Sequence, residues 1–462
     1  MELSLRNYQE VDVNKIRQQY SKGRTSLLYC LPTGGGKTFI FSYITQQARL
    51  KGNRVLVLVH RVELVQQTCD ALETFKLKFG VINPQYDPDY SQEVQVASVQ
   101  SLARRLIHFD KDFFDLIVID EAHHATAGQW QKILDHFPAA KRLGVTATPE
   151  RLDGKPLNTH FEELIKGPEM SWLQDEGHLA PCRVFAPPKN IDLSRISKRA
   201  GDYAADQVEE QTTTRAFCGD VVSHYKKHLK GDTAIAFCCT VRHAELTAAA
   251  FSEAGITAMA LSGKTSPDKR KKILWLLGQK HISVVCSCQV ISEGTDIPSV
   301  GGCLLLRPTL SLSVYLQQVG RCLRPSNGKT AIILDHVGNV EKHGLPTDPR
   351  DWSIEGRKKR NRTNEQDVPV KVCPKCFAAV SSALQYCDCG YKFEPKDEPH
   401  HIVINAELLE VKRAKKKKRS EVGRARTLAE LEMIADRRGY NRKWAYHVLK
   451  SREGRSQRYG RQ

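Results

Sequence analysis

The stretch VIDEAHHATAGQW, residues 118–130, sets two carboxylates, Asp120 and Glu121, beside two histidines, His123 and His124. All four residue types bind metals and move protons. A zinc-binding helix carries its two histidines one turn apart on one face. Adjacent His123 and His124 would point roughly 100° apart on a helix and make a poor chelating pair. What precedes the carboxylates suggests different chemistry. DLIVID, 115–120, is a short continuous apolar run, the pattern of a parallel strand buried on both faces. Carboxylates at the end of such a strand sit at the sheet edge where ligands of open α/β sheets bind. A nucleoside triphosphate with magnesium is one such ligand, and it calls for a phosphate loop upstream.

LLYCLPTGGGKTFIFSYI, 27–44, has that form: an apolar strand, a glycine-rich turn and a helix-competent run. Gly34, Gly35 and Gly36 let the backbone approach phosphates that a side chain would exclude. The loop amides and the helix N-terminus supply fixed positive ends. Thr33 opens the loop, Lys37 is placed to reach the β- and γ-phosphates, and Thr38 to hold magnesium. The first glycine position of the general G-x-x-x-x-G-K-[ST] pattern is Leu31 here. The alternative is a plain glycine turn; G-K-T opening a helix together with D-E ending a later strand favours the phosphate loop.

These residues need a scaffold, and the pattern supplies two α/β blocks. In the first, VLVLVH (55–60), VQVASVQSL (94–102), LIVID and LGVTATP (143–149) read as strands or strand ends between helical stretches. The second runs from TAIAFCC (233–239) through TAMALSG, ISVVCSC and GGCLLLRP to TAIILDH (330–336). Strands alternating with helices imply parallel sheets. Residues 165–232 are polar and irregular. The second block lacks a phosphate loop but carries YLQQVGRCLRP, 315–325, within a helix expected through 311–324. That helix would set Gln317, Arg321 and Arg324 on one face. Such arginines are commonly surface charges; beside a phosphate loop they can instead reach a γ-phosphate across a domain gap, an effect of roughly 10³- to 10⁵-fold in related systems.

The 462 residues suffice for two to four domains, and 40% hydrophobic content for packed cores. No apolar run is long enough to span a bilayer, and MELSLRNYQE lacks signal-peptide character. Fourteen cysteines are present; ten are scattered, several in strand-like runs, as in a reducing cytoplasm. A cytoplasmic location without membrane association is therefore expected. Net charge is +18, of which residues 411–462 contribute +13. That block suggests a nucleic-acid partner or a solvated tail.

Taken in order, LRNYQ (5–9), PTGGGKT (32–38), DEAH (120–123), TATP (146–149), SEGTDIP (292–298) and QQVGRCLR (317–324) resemble the motif series of superfamily-two helicases of the DEAD/DEAH type. The resemblance covers about residues 3–345. Its flanking segments look most like bacterial RadD-type DNA helicases and their phage relatives. It implies an α/β fold of two tandem RecA-like domains, and an ATP-hydrolysing enzyme that moves on or unwinds DNA. An ATP-gated clamp or remodeller that never separates strands, and an RNA helicase, are the alternatives. The resemblance assigns adenine recognition to Arg6 and Gln9, magnesium to Asp120 and the activation of water to Glu121. It assigns coupling to His123, Thr146, Thr148 and Gln317, with His123 directed toward Gln317, and a structural role to His124. Gly294 and Asp296 fall on the ribose and phosphate side, although Glu293 stands where many relatives have arginine. Arg321 and Arg324 match the arginine-finger motif. Arg61, Ser98, Gln100, Thr240 and Ser262 fall in segments used along the nucleic-acid backbone, with DNA favoured over RNA.

The remaining four cysteines, Cys373, Cys376, Cys387 and Cys389, form C-x-x-C and C-x-C pairs within VCPKCFAAVSSALQYCDCGYKFE, 372–394. They suggest a structural Zn²⁺, which would supply the folding energy that so short a segment lacks; a redox dithiol and incidental cysteines are the alternatives. ATP, Mg²⁺ and Zn²⁺ are thus the expected cofactors. The expected boundaries are 1–165 for the ATP-binding domain, 166–232 for a connecting segment and 233–345 for the second RecA-like domain. A linker (346–371), a zinc ribbon (372–394), a basic linker (395–426) and a helical tail (427–462) follow. The tail, apolar at Leu428, Leu431, Ile434 and Ala435 with a second helix from Trp444, would bind nucleic acid or a protein partner.

Overall fold

A computed structural model describes residues 4–60, 62–124, 128–151, 154–186, 193, 196–199, 201–291, 300–326, 328–356, 370–393, 427–437 and 445. The chain divides into two compact units, Met1–Phe393 and Glu394–Gln462.

The first unit holds two sheets. The strands of the first are β1 (Ser26–Cys30), β2 (Val55–Val59), β3 (Gly80–Ile82), β4 (Val94–Ser98), β5 (Leu116–Asp120), β6 (Lys141–Thr146) and β7 (Glu163–Lys166). All pair in parallel, in the order β3-β4-β2-β5-β6-β1-β7. Successive side chains of β2 enter opposite cores: Val55, Val57 and Val59 join one cluster, and Leu56 and Leu58 the other. Both faces are buried, which is why these strands read as unbroken apolar runs.

The second sheet comprises β8 (Cys182–Phe185), β11 (Ala234–Cys238), β12 (Ala258–Leu261), β13 (Val284–Cys288), β14 (Gly302–Leu305), β15 (Ala331–Asp335), β16 (Val370–Val372) and β17 (Ala378–Ser381). A two-stranded hairpin, β9 (Lys198–Arg199) with β10 (Asp202–Tyr203), stands apart from both sheets. The order is β12-β13-β11-β14-β15-β8-β17-β16, parallel as far as β8 and antiparallel beyond it. Residues 166–232 therefore do more than connect. β8 pairs in parallel with β15, Cys182 opposite Ala331. Asp202 accepts from the Thr309 hydroxyl at 2.8 Å and from Leu310 N–H at 2.7 Å. The sequence hid β8 because it is four residues long and carries Arg183. The cysteine-bearing hairpin β16–β17 is likewise an extension of this sheet, with Ala379 opposite Val184.

One apolar cluster runs through both sheets, taking Leu27, Val57 and Val145 from the first and Ile235, Leu305 and Ile333 from the second. The segment after β15 also returns to the first sheet. Leu157 and Asn158 N–H donate to the Ile354 carbonyl at 2.7 and 2.9 Å, Lys166 pairs with Asp351 at 3.2 Å, and Trp352 packs against the shared cluster. Residues 346–356, expected as linker, thus tie the two sheets together.

In the second unit the helix Leu428–Arg437 begins with a reciprocal cap. Glu430 N–H donates to Thr427 Oγ1 at 3.3 Å, and Thr427 N–H to Glu430 Oε2 at 3.1 Å. Leu431, Ile434 and Ala435 are buried. The second tail helix expected from Trp444 lies outside the described residues. Among the described residues no helix is long and apolar enough to cross a membrane.

The second sheet encloses histidines that burial keeps neutral. His243 is pushed down to about 4 and His336 to about 3. An unfolded histidine takes its proton near 6.5, so the unfolded state binds more protons below that pH and stability falls as pH drops from about 6.5. Each histidine costs about 2 kcal/mol at pH 5. Buried Asp335, pushed up to about 6, acts in the opposite direction by about 1 kcal/mol. Thermal unfolding should therefore occur at lower temperature at pH 5 than at pH 7.5, and His336→Gln should reduce the difference. An unchanged midpoint would show that these rings are not excluded from water.

Candidate functional site

Strands β5, β6 and β1 are neighbours, and their ends align: Asp120 lies opposite Val145, and Thr146 opposite Cys30. The carboxylates, TATP and the glycine loop therefore emerge side by side. From Cys30 the chain turns through Leu31–Gly36 into the helix Lys37–Leu50. Gly36 has φ +88°, a left-handed conformation strained for other residues, and an added Cβ would lie 2.6 Å from Gln9 Nε2. No side chain caps this helix, so its first N–H groups are directed into the loop. Lys37 Nζ spans the loop to the Leu31 carbonyl, 3.2 Å. Thr33 Oγ1 is buried and has no hydrogen-bond partner among the described residues. Thr38 is half-buried in the first helical turn. Uncapped amides, an ammonium group, an orphaned hydroxyl and a glycine cradle fit a polyphosphate.

Gln9, expected to read a base edge, is 3% exposed, and its Oε1 accepts the Arg6 backbone N–H at 3.0 Å. Arg6 itself is exposed at the start of the helix Asn7–Ser21.

Asp120 ends β5 and accepts from Glu121 N–H at 3.0 Å. Glu121 has φ +48°, a conformation costly for a residue with a side chain, and is only 8% exposed. Its Oε2 is 3.3 Å from His123 Nδ1, which is 3.0 Å from Thr146 Oγ1. The Thr146 hydroxyl donates to the Thr148 carbonyl at 2.9 Å and accepts Thr148 N–H at 3.1 Å. With the hydroxyl proton committed, Nδ1 carries the histidine proton and donates. The Thr148 hydroxyl in turn donates to Ser313 Oγ at 2.6 Å. Ser313 belongs to the helix Leu312–Gly320 of the second sheet's domain. The polar link described from His123 toward that domain thus runs through Thr146, Thr148 and Ser313, in place of the expected approach to Gln317. Gln317 is 2% exposed, and its Nε2 has no partner among the described residues.

That helix is shorter than its sequence suggests. It ends at Gly320, with Arg321 as its C-cap, so Arg324 is not on the helix face that carries Gln317. Arg321 N–H to the Gln318 carbonyl and Cys322 N–H to the Val319 carbonyl tighten the last turn, and Pro325 follows. Gly320 is needed there for contact: an added Cβ would meet Thr33 Cβ at 2.5 Å. The phosphate loop of the first domain and the arginine-bearing turn of the second therefore touch. Arg321 is 9% exposed; Arg324 is half-buried, and burial pulls its guanidinium below the ordinary arginine value. Gly294 and Asp296, with Glu293, lie outside the described residues.

Comparison with known proteins agrees with this geometry. Residues 2–151 match the family described as type III restriction enzyme, res subunit, and residues 217–326 the helicase conserved C-terminal domain. The chain is 36% identical over 396 residues to a 51.5 kDa protein of a Lactococcus phage, covering 84% of each. The chain belongs to the superfamily-two helicases. It is 31% identical to a Saccharomyces cerevisiae protein named "Putative ATP-dependent helicase IRC3" over 72% of this chain, spanning about half (51%) of that relative. The DNA-bound type ISP restriction-modification enzyme LlaBIII shares the fold, with TM-score 0.57 at 18% identity over 73% of this chain and 28% of that one. The helicase domains and these relatives make the chain an ATP-hydrolysing enzyme in general terms.

The helicase residues expected along nucleic acid are differently disposed. Gln100 is exposed. Ser98 is 1% exposed, and its hydroxyl donates to Ser101 Oγ at 2.8 Å. Ser262 shapes a turn, accepting Lys264 N–H at 3.3 Å. Thr240 caps the helix Val241–Glu253, accepting His243 N–H at 3.0 Å, and donates to the Glu209 carboxylate. Glu209, which belongs to no sequence motif, also lies 3.6 Å from Arg242. Arg61 lies outside the described residues.

Beside β17, the Sγ atoms of Cys373, Cys376, Cys387 and Cys389 lie within 4.8 Å of one another. Cys373 and Cys389 are 3.6 Å apart, and Cys376 and Cys387 3.5 Å. A tetrahedron with metal–sulfur bonds of about 2.3 Å has edges of about 3.8 Å, so the set fits a tetrahedral thiophilic ion. The tight C-x-C pair closes over a turn in which Gly390 N–H donates to the Cys387 carbonyl at 2.8 Å. Cys373 and Cys387 belong to the second sheet's core cluster, so the ribbon borrows its core from the helicase domain. Protein purified without chelator should carry one such ion per chain. Cys373→Ser should release it and lower the unfolding temperature of the second domain; metal analysis finding none in the wild type would contradict the site.

Proposed function

We propose that this chain is an ATP-driven DNA helicase or translocase whose hydrolysis centre forms between the two sheets. The observation that carries the reading is the polar chain from Glu121 through His123, Thr146 and Thr148 to Ser313, beside the contact of Thr33 with Gly320. Lys37 and the loop amides bind the β- and γ-phosphates. Thr38 and Asp120 would hold Mg²⁺, which draws charge from the phosphate oxygens when bound. Glu121 orients the attacking water and takes its proton; such help is worth roughly 10²- to 10⁴-fold. Arg321 and Arg324 stabilise charge that develops on the γ-phosphoryl group. By the family resemblance Gly294 and Asp296 would serve the ribose side, and Arg6 and Gln9 the base side. His123 passes the state of Glu121 to Thr146, and Ser313 passes it to the arginine-bearing helix.

DNA as the track is supported by the type ISP relative captured on DNA and by the RadD-like flanking motifs. Exposed Gln100, with Arg61, Thr240 and Ser262, would position the strand by phosphate contacts without reading its sequence. Ser98 would support that segment through Ser101. The +13 tail adds phosphate-neutralising charge or docks a protein partner. Zn²⁺ is the ion proposed for the four cysteines, as a structural element. An ATP-gated clamp shares the hydrolysis centre, and strand-displacement assays beside ATPase assays separate it from a helicase.

Glu121→Gln keeps the shape of the carboxylate but not its basicity. It should lower DNA-stimulated turnover by at least about 10²-fold while retaining ATP and DNA binding. Arg321→Ala and Arg324→Ala should lower turnover with ATP binding kept. Near-wild-type ATPase in Glu121→Gln would remove that residue from its role.

A further inference from the structure

Between β7 and β8 the helix Met170–Asp175 and the turn to Ala180 leave the first sheet. They bring two rings to Tyr8. The Tyr8 and Trp172 centroids are 5.7 Å apart with the rings edge-on, Tyr8 and His178 are 5.0 Å apart, and Trp172 and His178 are 6.1 Å apart. The cluster is fixed to the phosphate loop in three places. The Tyr8 hydroxyl donates to the Gly35 carbonyl at 2.6 Å. Leu179 Cδ2 lies 2.8 Å from where a Gly34 Cβ would be, and Gln9 Nε2 backs Gly36. Burial and, secondarily, Arg6 hold His178 below its ordinary value.

Trp172 is nevertheless 40% exposed. A single exposed apolar residue is ordinary. This one belongs to a three-ring cluster anchored against a polyphosphate cradle, and part of its large π surface is left in water. The ligand such a surface suits is a flat aromatic ring carried on a phosphate chain. The geometry points to Trp172 and His178, with Tyr8, as the wall against which the base of the bound nucleoside triphosphate stacks. The inference rests on the phosphate-loop reading and adds two residues of the connecting segment to Arg6 and Gln9. Purines, with more ring area than pyrimidines, gain more from such a wall.

The test compares steady-state hydrolysis of ATP and CTP by wild type, Trp172→Ala, Trp172→Phe and His178→Ala, with inorganic tripolyphosphate as a base-free competitor. Trp172→Ala should raise KM for ATP about tenfold with kcat within about twofold, and raise KM for CTP less. Trp172→Phe should recover most of the loss, and His178→Ala should fall between. Inhibition by tripolyphosphate should be unchanged in all variants. A wild-type KM for ATP in Trp172→Ala would overturn the wall while leaving the enzyme's function intact. Equal weakening toward ATP and tripolyphosphate would overturn it too, since the indole would then merely prop the loop. A wild-type protein that hydrolyses no nucleoside triphosphate would overturn the phosphate-loop reading and the wall with it.

Discussion

The hydrogen bond from Thr148 to Ser313 is the contact on which the proposed mechanism depends. Thr148 stands just past β6, in the loop that also fixes His123 and through it Glu121. Ser313 opens the helix that ends in Arg321. Two hydroxyls 2.6 Å apart therefore join the carboxylate end of one sheet to the arginine end of another. Such a bond is worth about 1 kcal/mol net, so the proposed cycle could make and break it at each turnover. The burial of Thr148, 0% exposed, raises the cost of leaving its hydroxyl unpaired.

The surroundings keep this contact in place. Gly320 admits Thr33 where any side chain would hold the loop away. The shared apolar cluster and the return of Trp352 and Ile354 to the first sheet hold the two halves together. The left-handed Glu121 turns the chain directly after β5, so that its carboxylate faces His123. Backbone strain at that residue is consistent with a position held for chemistry, because the neighbouring strands fix the chain on both sides.

Much of this was legible in the sequence because it depends on short-range patterns. Continuous apolar runs located β1, β2 and β5, and the residues that end or follow them, Lys37 and Asp120 among them, are placed by the strand end itself. What the sequence obscured depends on tertiary pairing. β8 is too short to show a period, yet it joins the second sheet to the cysteine hairpin. VQVASVQSL reads as one strand, but it breaks at Ser98 into the short helix Val99–Leu102. The arginine helix stops at Gly320, where the last turn tightens and packing against Thr33 requires a glycine, and periodicity registers neither. Glu209, held by Thr240 and near Arg242, and Trp172, beside Tyr8, belong to no motif, and only their partners bring them to notice.

The proposed mechanism requires the two halves of the enzyme to be coupled through Thr148 and Ser313, and a double-mutant cycle measures that coupling directly. DNA-stimulated kcat is compared for wild type, Thr148→Val, Ser313→Ala and the double variant. Each single change should lower kcat several-fold, and the double variant should be no slower than the worse single, a coupling of about 1 kcal/mol. Losses that simply multiply would show that the two hydroxyls act independently and would contradict the account.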